Sequence, residues 1–191
     1  MFVNFKNIVT RARSYRRFYE NKKISEKTLK GLVDLARLSA SAGNLQPLKF
    51  IISCQKPKND LIFPTVSWAI YLKSWGGPKE GERPAAYIII LGDRNTSKWL
   101  EWDCGIAAQT VVLSAASKGL GCCMFLTINR DMLRNSLKIP QEYEILLVLA
   151  LGKPKEKVVI DDFKGDIKYY RDEKQTHHVP KKPLKELVLD L

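Results

Sequence analysis

The chain has 191 residues, 45% of them hydrophobic, which suits one domain of ordinary size and is short for two. No apolar run approaches the ~20 residues that span a bilayer, and Asn4, Lys6, Asn7 and Arg11 interrupt any signal-peptide core, so a soluble, cytoplasmic protein is expected. The net charge of +12 admits an anionic partner (nucleic acid, membrane surface or a phosphorylated small molecule), but the lysines and arginines are spread along the chain as on a solvated surface.

Phe5, Ile8, Val9 and Ala12 fall at helical spacing with one apolar stripe, and the helix they predict runs into Arg13-Ser14-Tyr15-Arg16-Arg17. Ser25 is placed to cap a second helix striped by Leu29, Leu32, Val33 and Ala36, with Glu26 in its first turn, ending before Asn44 and Pro47. Phe50 to Cys54 reads as a buried strand, and Gln55 to Asp60 as a turn. Leu61 to Trp75 is rich in aromatic residues, with Trp68, Tyr71, Leu72 and Trp75 at helical spacing; these form either core or a wall facing a substrate.

Ala85 to Leu91 is a second buried strand. Asp103 then opens a helix that is apolar nearly all round from Ile106 to Ala116 and must be covered by several neighbours, a second subunit among the candidates. Gly119 fits the position just past its end. Asn129 caps a short helix that stops at Pro140, and Ile145 to Leu151 is a third buried strand. A charged section follows, from Asp161 to Lys174. Strands that do not alternate, together with helices, predict an α+β or α/β sandwich whose sheet is covered on both faces.

Several chemistries lack their residues. Cys54, Cys104, Cys122 and Cys123 have no metal-binding spacing and read as buried thiols. His177 and His178 are adjacent in a polar tail and would point to opposite sides of a strand, which argues against histidine catalysis and joint metal binding. There is no phosphate-binding glycine loop after a strand and no nucleic-acid reading motif.

Two segments concentrate hydrogen-bonding groups. Arginines and a hydroxyl in Arg13-Ser14-Tyr15-Arg16 can hold phosphate oxygens, although alone the cluster reads as a charged helix end. In Ser41-Ala42-Gly43-Asn44-Leu45-Gln46-Pro47, small residues let a planar ligand approach the backbone, while Asn44 and Gln46 offer donors and acceptors to a heterocycle; as a plain turn the segment is also acceptable.

These two segments, with Phe18, Gly119-Leu120-Gly121-Cys122-Cys123, Leu149-Ala150-Leu151-Gly152-x-Pro154 and Lys181-Lys182-Pro183-Leu184, resemble the FMN-dependent nitroreductases in order and spacing. The resemblance implies a three-layer α-β-α fold of the α+β class with a mixed, mainly antiparallel sheet. It implies one domain over 1–191, forming an intertwined homodimer in which a tail of about 155–191 wraps the partner. FMN sites would be built at the interface: Arg13, Ser14, Arg16, Lys181 and Lys182 from one chain, Ser41, Ala42, Asn44 and Gln46 from the other, with Met124, Phe125, Leu126 and Thr127 passing the flavin ring. Trp68, Tyr71 and Leu72 would line the substrate pocket.

The implied activity is electron transfer from NADH or NADPH through the flavin to a nitroaromatic or quinone, with no catalytic side chain and no metal. Leu48 stands where many members of that family carry tryptophan, and Met124 where tryptophan or proline is frequent. Dehalogenation, flavin fragmentation or peptide oxidation on the same fold is the alternative, and nucleic-acid binding through the charge a distant third.

Overall fold

The computed structural model describes residues 4–189, so the last two residues of the expected tail lie outside it. Its centre is a sheet of four strands, β1 (Leu48–Ser53), β2 (Ala86–Asp93), β3 (Gly121–Phe125) and β4 (Tyr143–Gly152), in the order β1-β2-β4-β3 with every neighbouring pair antiparallel. β2 and β4 occupy the middle and are buried along nearly their whole length, which is why their sequences run apolar instead of alternating.

Helices cover both faces. Ile88, Ile90, Leu147 and Leu149 pack against α2 (Glu26–Arg37) and α4 (Leu100–Ser117) through Leu29, Leu32, Ala108 and Val111. On the other face Tyr87, Ile89, Val148 and Ala150 meet Ile62 of α3 (Lys56–Ile62) and Leu133 of α5 (Arg130–Leu137). The result is the expected α-β-α sandwich, and each fully buried isoleucine contributes roughly 1.5–3 kcal/mol to holding it.

The predicted caps are present: Ser25 accepts from the Thr28 N–H, Asn129 accepts from the Met132 N–H, and Gly119 follows α4 with φ +69°. α4 opens at Leu100, earlier than expected, so Asp103 is a buried member of its first turn. α1 (Phe5–Arg11) keeps Ile8 against the core, but Phe5 is 65% exposed, so its predicted apolar stripe is largely uncovered by its own chain.

Three expectations change. Gln55 to Asp60 is not a turn: Pro57 sits in the first turn of α3, where a missing N–H costs nothing, and Lys56 pairs with Asp60 one turn on. The aromatic stretch is not a helix. After the 3-10 turn Phe63–Thr65 it is irregular, with Ala69 at φ +46°, because its rings are drawn to separate tertiary partners. The tail is not merely a charged section: β5 (Val158–Asp162), β6 (Tyr170–Arg171) and β7 (His177–Lys181) form a second sheet in the order β5-β7-β6.

All four cysteines are free, and burial pushes the thiols of Cys104 and Cys123 up to about 12 and about 11. Among the described residues no helix is long and apolar enough to cross a membrane, and no cluster of His, Cys, Asp or Glu could hold a metal ion.

Candidate functional site

The segment from Ser14 to Tyr19 leaves α1 and threads along the ends of β3 and β4. Tyr15 N–H donates to the Cys122 carbonyl at 2.9 Å and Tyr19 N–H to the Lys153 carbonyl at 2.8 Å. Glycine is required where it crosses: a Cβ on Gly121 would sit 2.8 Å from the Tyr15 ring, and one on Gly152 would sit 2.6 Å from the Phe18 ring. The Gly119-to-Cys123 and Gly152-x-Pro154 motifs are thus the seat of the arginine segment.

The second sheet closes over this segment. Glu156 accepts from the backbone N–H groups of Arg16 and Arg17 and pairs with Arg171 at 2.9 Å, an ion pair almost wholly buried. Between the two lies a cavity of about 320 Å³ lined by Arg13, Ser14, Arg16, Gln109, Met124 and Lys181, together with Tyr169 and His177. No carboxylate lines it. Arg16 is only 8% exposed, its guanidinium over the Tyr169 ring at 4.3 Å. Arg13 donates to the Val9 carbonyl, its Nε is buried without a partner, and burial lowers its pKa, though arginine keeps its charge. Three cations with spare donors and no acidic neighbour in the lining make an anion-binding cavity.

The second motif lies elsewhere. Ser41 to Pro47 folds as a tight loop with Gly43, Asn44 and Gln46 all at positive φ, 56°, 54° and 51°. A non-glycine residue in that region costs ~1 kcal/mol or more, and such strain persists only where surrounding contacts over-determine it. Here the Asp103 carboxylate accepts from the Ala42 N–H at 2.8 Å, and Ser41 Oγ accepts from the Gln46 N–H at 3.1 Å. Asn44 and Gln46 are left exposed. Ser41, Gln46 and Asp103 line a smaller cavity of about 150 Å³ that shares no residue with the cationic one. Within one chain the two motifs do not meet.

The sequence model of the Nitroreductase family matches residues 9–153. The chain belongs to the nitroreductase family. That span holds the sheet, the arginine segment and the strained loop, and membership makes the chain an oxidoreductase. It is 27% identical over 165 residues to an Archaeoglobus fulgidus protein provisionally named NADH dehydrogenase/NAD(P)H nitroreductase, covering 82% of this chain and 88% of that one. Among solved structures, a nitroreductase family protein from Streptococcus pneumoniae has a TM-score of 0.72 at 16% identity, covering 98% of this chain and 100% of that one. A provisional nitroreductase from Desulfovibrio desulfuricans, solved in complex with FMN, has a TM-score of 0.70 at 18% identity over 100% and 98% of the two chains. These structural likenesses confirm the α-β-α fold.

Other residues that the nitroreductase resemblance singled out are placed unevenly. Met124 faces the cationic cavity, whereas the Phe125 side chain is turned to the opposite side of β3, its ring 4.6 Å from that of Trp68. Leu126 and Thr127 are exposed where β3 ends. Lys182 turns to Glu186 and the Phe163 ring instead of the cavity that Lys181 lines. Trp68 packs among Phe63, Trp75 and Phe125, and Leu72 is partly buried; of the three expected pocket residues only Tyr71 comes close, its ring 4.9 Å from Tyr169. Reading by residue type passed over Glu156, Tyr169 and His177. A period-two pattern, His177, Val179 and Lys181, was the available signal for the last.

Proposed function

We propose that this chain binds FMN in a site completed by a second copy of itself, with Arg13, Ser14, Arg16 and Lys181 from one chain and Ser41, Ala42, Asn44 and Gln46 from the other. The observation that carries the reading is the cationic cavity without a carboxylate in its lining, which suits a phosphate. It agrees with the FMN carried by the D. desulfuricans protein. Past Cys122 no other strand of the sheet pairs the outer edge of β3, so the Met124 N–H, which faces that edge with Cys122, is available to a flavin ring.

The need for a second copy is supported by the outward face of α4. Trp102 is 70% exposed and Ile106 is 45% exposed, and Gln109, one turn further along the same stripe, lines the cationic cavity. A partner covering that apolar stripe would border the cavity directly and bring its own strained loop, anchored at Asp103 of its α4, toward it. Leu184, Leu187 and Val188 of the tail are also exposed and are assigned to wrapping the partner.

Bound FMN would take a hydride from NADH or NADPH and pass electrons to a flat electrophile such as a nitroaromatic or quinone. The chain's own part is to hold the phosphate with cations, orient the ring against the edge of β3, and offer Tyr71 and Tyr169 as an aromatic border to the approaching substrate. An absorbance spectrum of the purified protein, recorded anaerobically before and after NADH or NADPH is added, tests this. Flavin absorbance that bleaches with either donor is expected; protein that stays colourless after incubation with FMN overturns the reading.

A further inference from the structure

Arg16 is held at its backbone by Glu156, just ahead of β5, and at its guanidinium by His177 of β7. Its N–H is fixed by Glu156, and its Nη1 lies 3.2 Å from the Ser14 carbonyl and 2.9 Å from Nε2 of His177. Arginine has no acceptor, so Nε2 of His177 accepts and the imidazole proton sits on Nδ1. Nδ1 is buried with no partner, and His177 itself is wholly buried. Burial above all, then the charges of Arg16 and Arg171 and neighbouring His178, pushes the ring down to about 3, so it stays a neutral acceptor.

Register explains how the side chain arrives there. Along β7, His177, Val179 and Lys181 face the cationic cavity, while His178 turns away to Asp161 and Asp172. Arg171 stands opposite His177 in the ladder and grips Glu156. The Tyr169 ring packs against both partners, its centroid 4.3 Å from the guanidinium and 5.1 Å from that of the imidazole.

We propose that His177 is a positioning residue: through Nε2 it aims the Arg16 guanidinium into the cavity, and the second sheet thereby sets the affinity for FMN. This rests on the FMN reading. Its test is a double-mutant cycle read by titration calorimetry with FMN. H177L is expected to weaken binding about tenfold or more, the scale of a lost charge-assisted hydrogen bond. H177Q, whose amide oxygen can take the place of Nε2, is expected to restore affinity to within about threefold. The R16M/H177L double variant should bind no more weakly than R16M, because His177 acts through Arg16.

Unchanged affinity in H177L, or losses that multiply in the double variant, would overturn the proposal. If H177L does not fold, H177N carries the same comparison, since its shorter amide cannot reach Arg16. A wild type that binds no FMN sinks the functional reading instead. The imidazole nitrogen-15 spectrum then decides the coupling alone: a proton on Nδ1 in wild type that redistributes in R16M supports it, and identical spectra contradict it.

Discussion

The two halves of the candidate site are built in opposite ways. The arginine half is assembled by contacts far apart in sequence: Arg16 with Glu156 and His177, Tyr15 with Cys122. Arg16 is buried and Arg13 half-buried, while Ser14 and Lys181 stay exposed, all four lining one cavity of a single chain. The Ser41-to-Pro47 half is a tight local loop tied to the rest of the chain by Asp103 at the Ala42 N–H and by the Asp93 N–H at the Pro47 carbonyl, and its recognition groups Asn44 and Gln46 are exposed, Gln46 Nε2 donating only to the neighbouring Asn44 carbonyl. In the proposed dimer, the strained, exposed loop of one chain would supply the edge that the cationic cavity of the other lacks.

The most severe way to break this pairing is to keep the halves from meeting. Ile106 is 45% exposed in the single chain, so Ile106→Glu should leave the fold intact while placing an unpaired carboxylate in the proposed interface. Burying such a charge is prohibitive. Size-exclusion chromatography should show a monomer, and FMN affinity should fall by about a hundredfold or more, beyond what any one ligand residue supplies. A monomer that retains FMN tightly would separate the two claims.

A smaller effect is expected from loosening one half. Asp103→Ala removes the acceptor for the Ala42 N–H and frees the loop from its anchor, which should weaken FMN about tenfold or more while the dimer persists. Affinity equal to wild type would mean that the loop's shape does not depend on Asp103.

The same contrast governs what was legible in the sequence. β2, β4, α2 and α5 announce themselves locally, through apolar runs and through the caps Ser25 and Asn129. β5, β6 and β7 do not: they form a small, partly exposed sheet whose charged residues pair across the chain, so their sequence looks like a solvated tail. His177 was read as part of that tail because its burial comes from Arg16, 161 residues away. By residue type alone Arg13 and Arg16 read as a charged helix end and Ser41 to Pro47 as a plain turn, and only the resemblance made them candidates; the direction of each side chain was not legible at all, since Lys182 and Trp68 match the pattern but point elsewhere. Helical spacing misled over Trp68 to Trp75 because Trp68 packs on Phe125 and Tyr71 on Tyr169, partners in different parts of the fold that one helix face would not serve.

The shared site is tested most directly by mixing two defective chains. R16M and N44A, differently tagged and co-expressed, would each lose one half of the site; the mixed dimer would join the intact arginine half of one to the intact loop of the other. Isolated through both tags, that mixed dimer should bind FMN at one of its two sites with wild-type affinity, while both parent dimers bind weakly at both. A mixed dimer no better than its parents would show that each site is built within one chain, and would contradict the account.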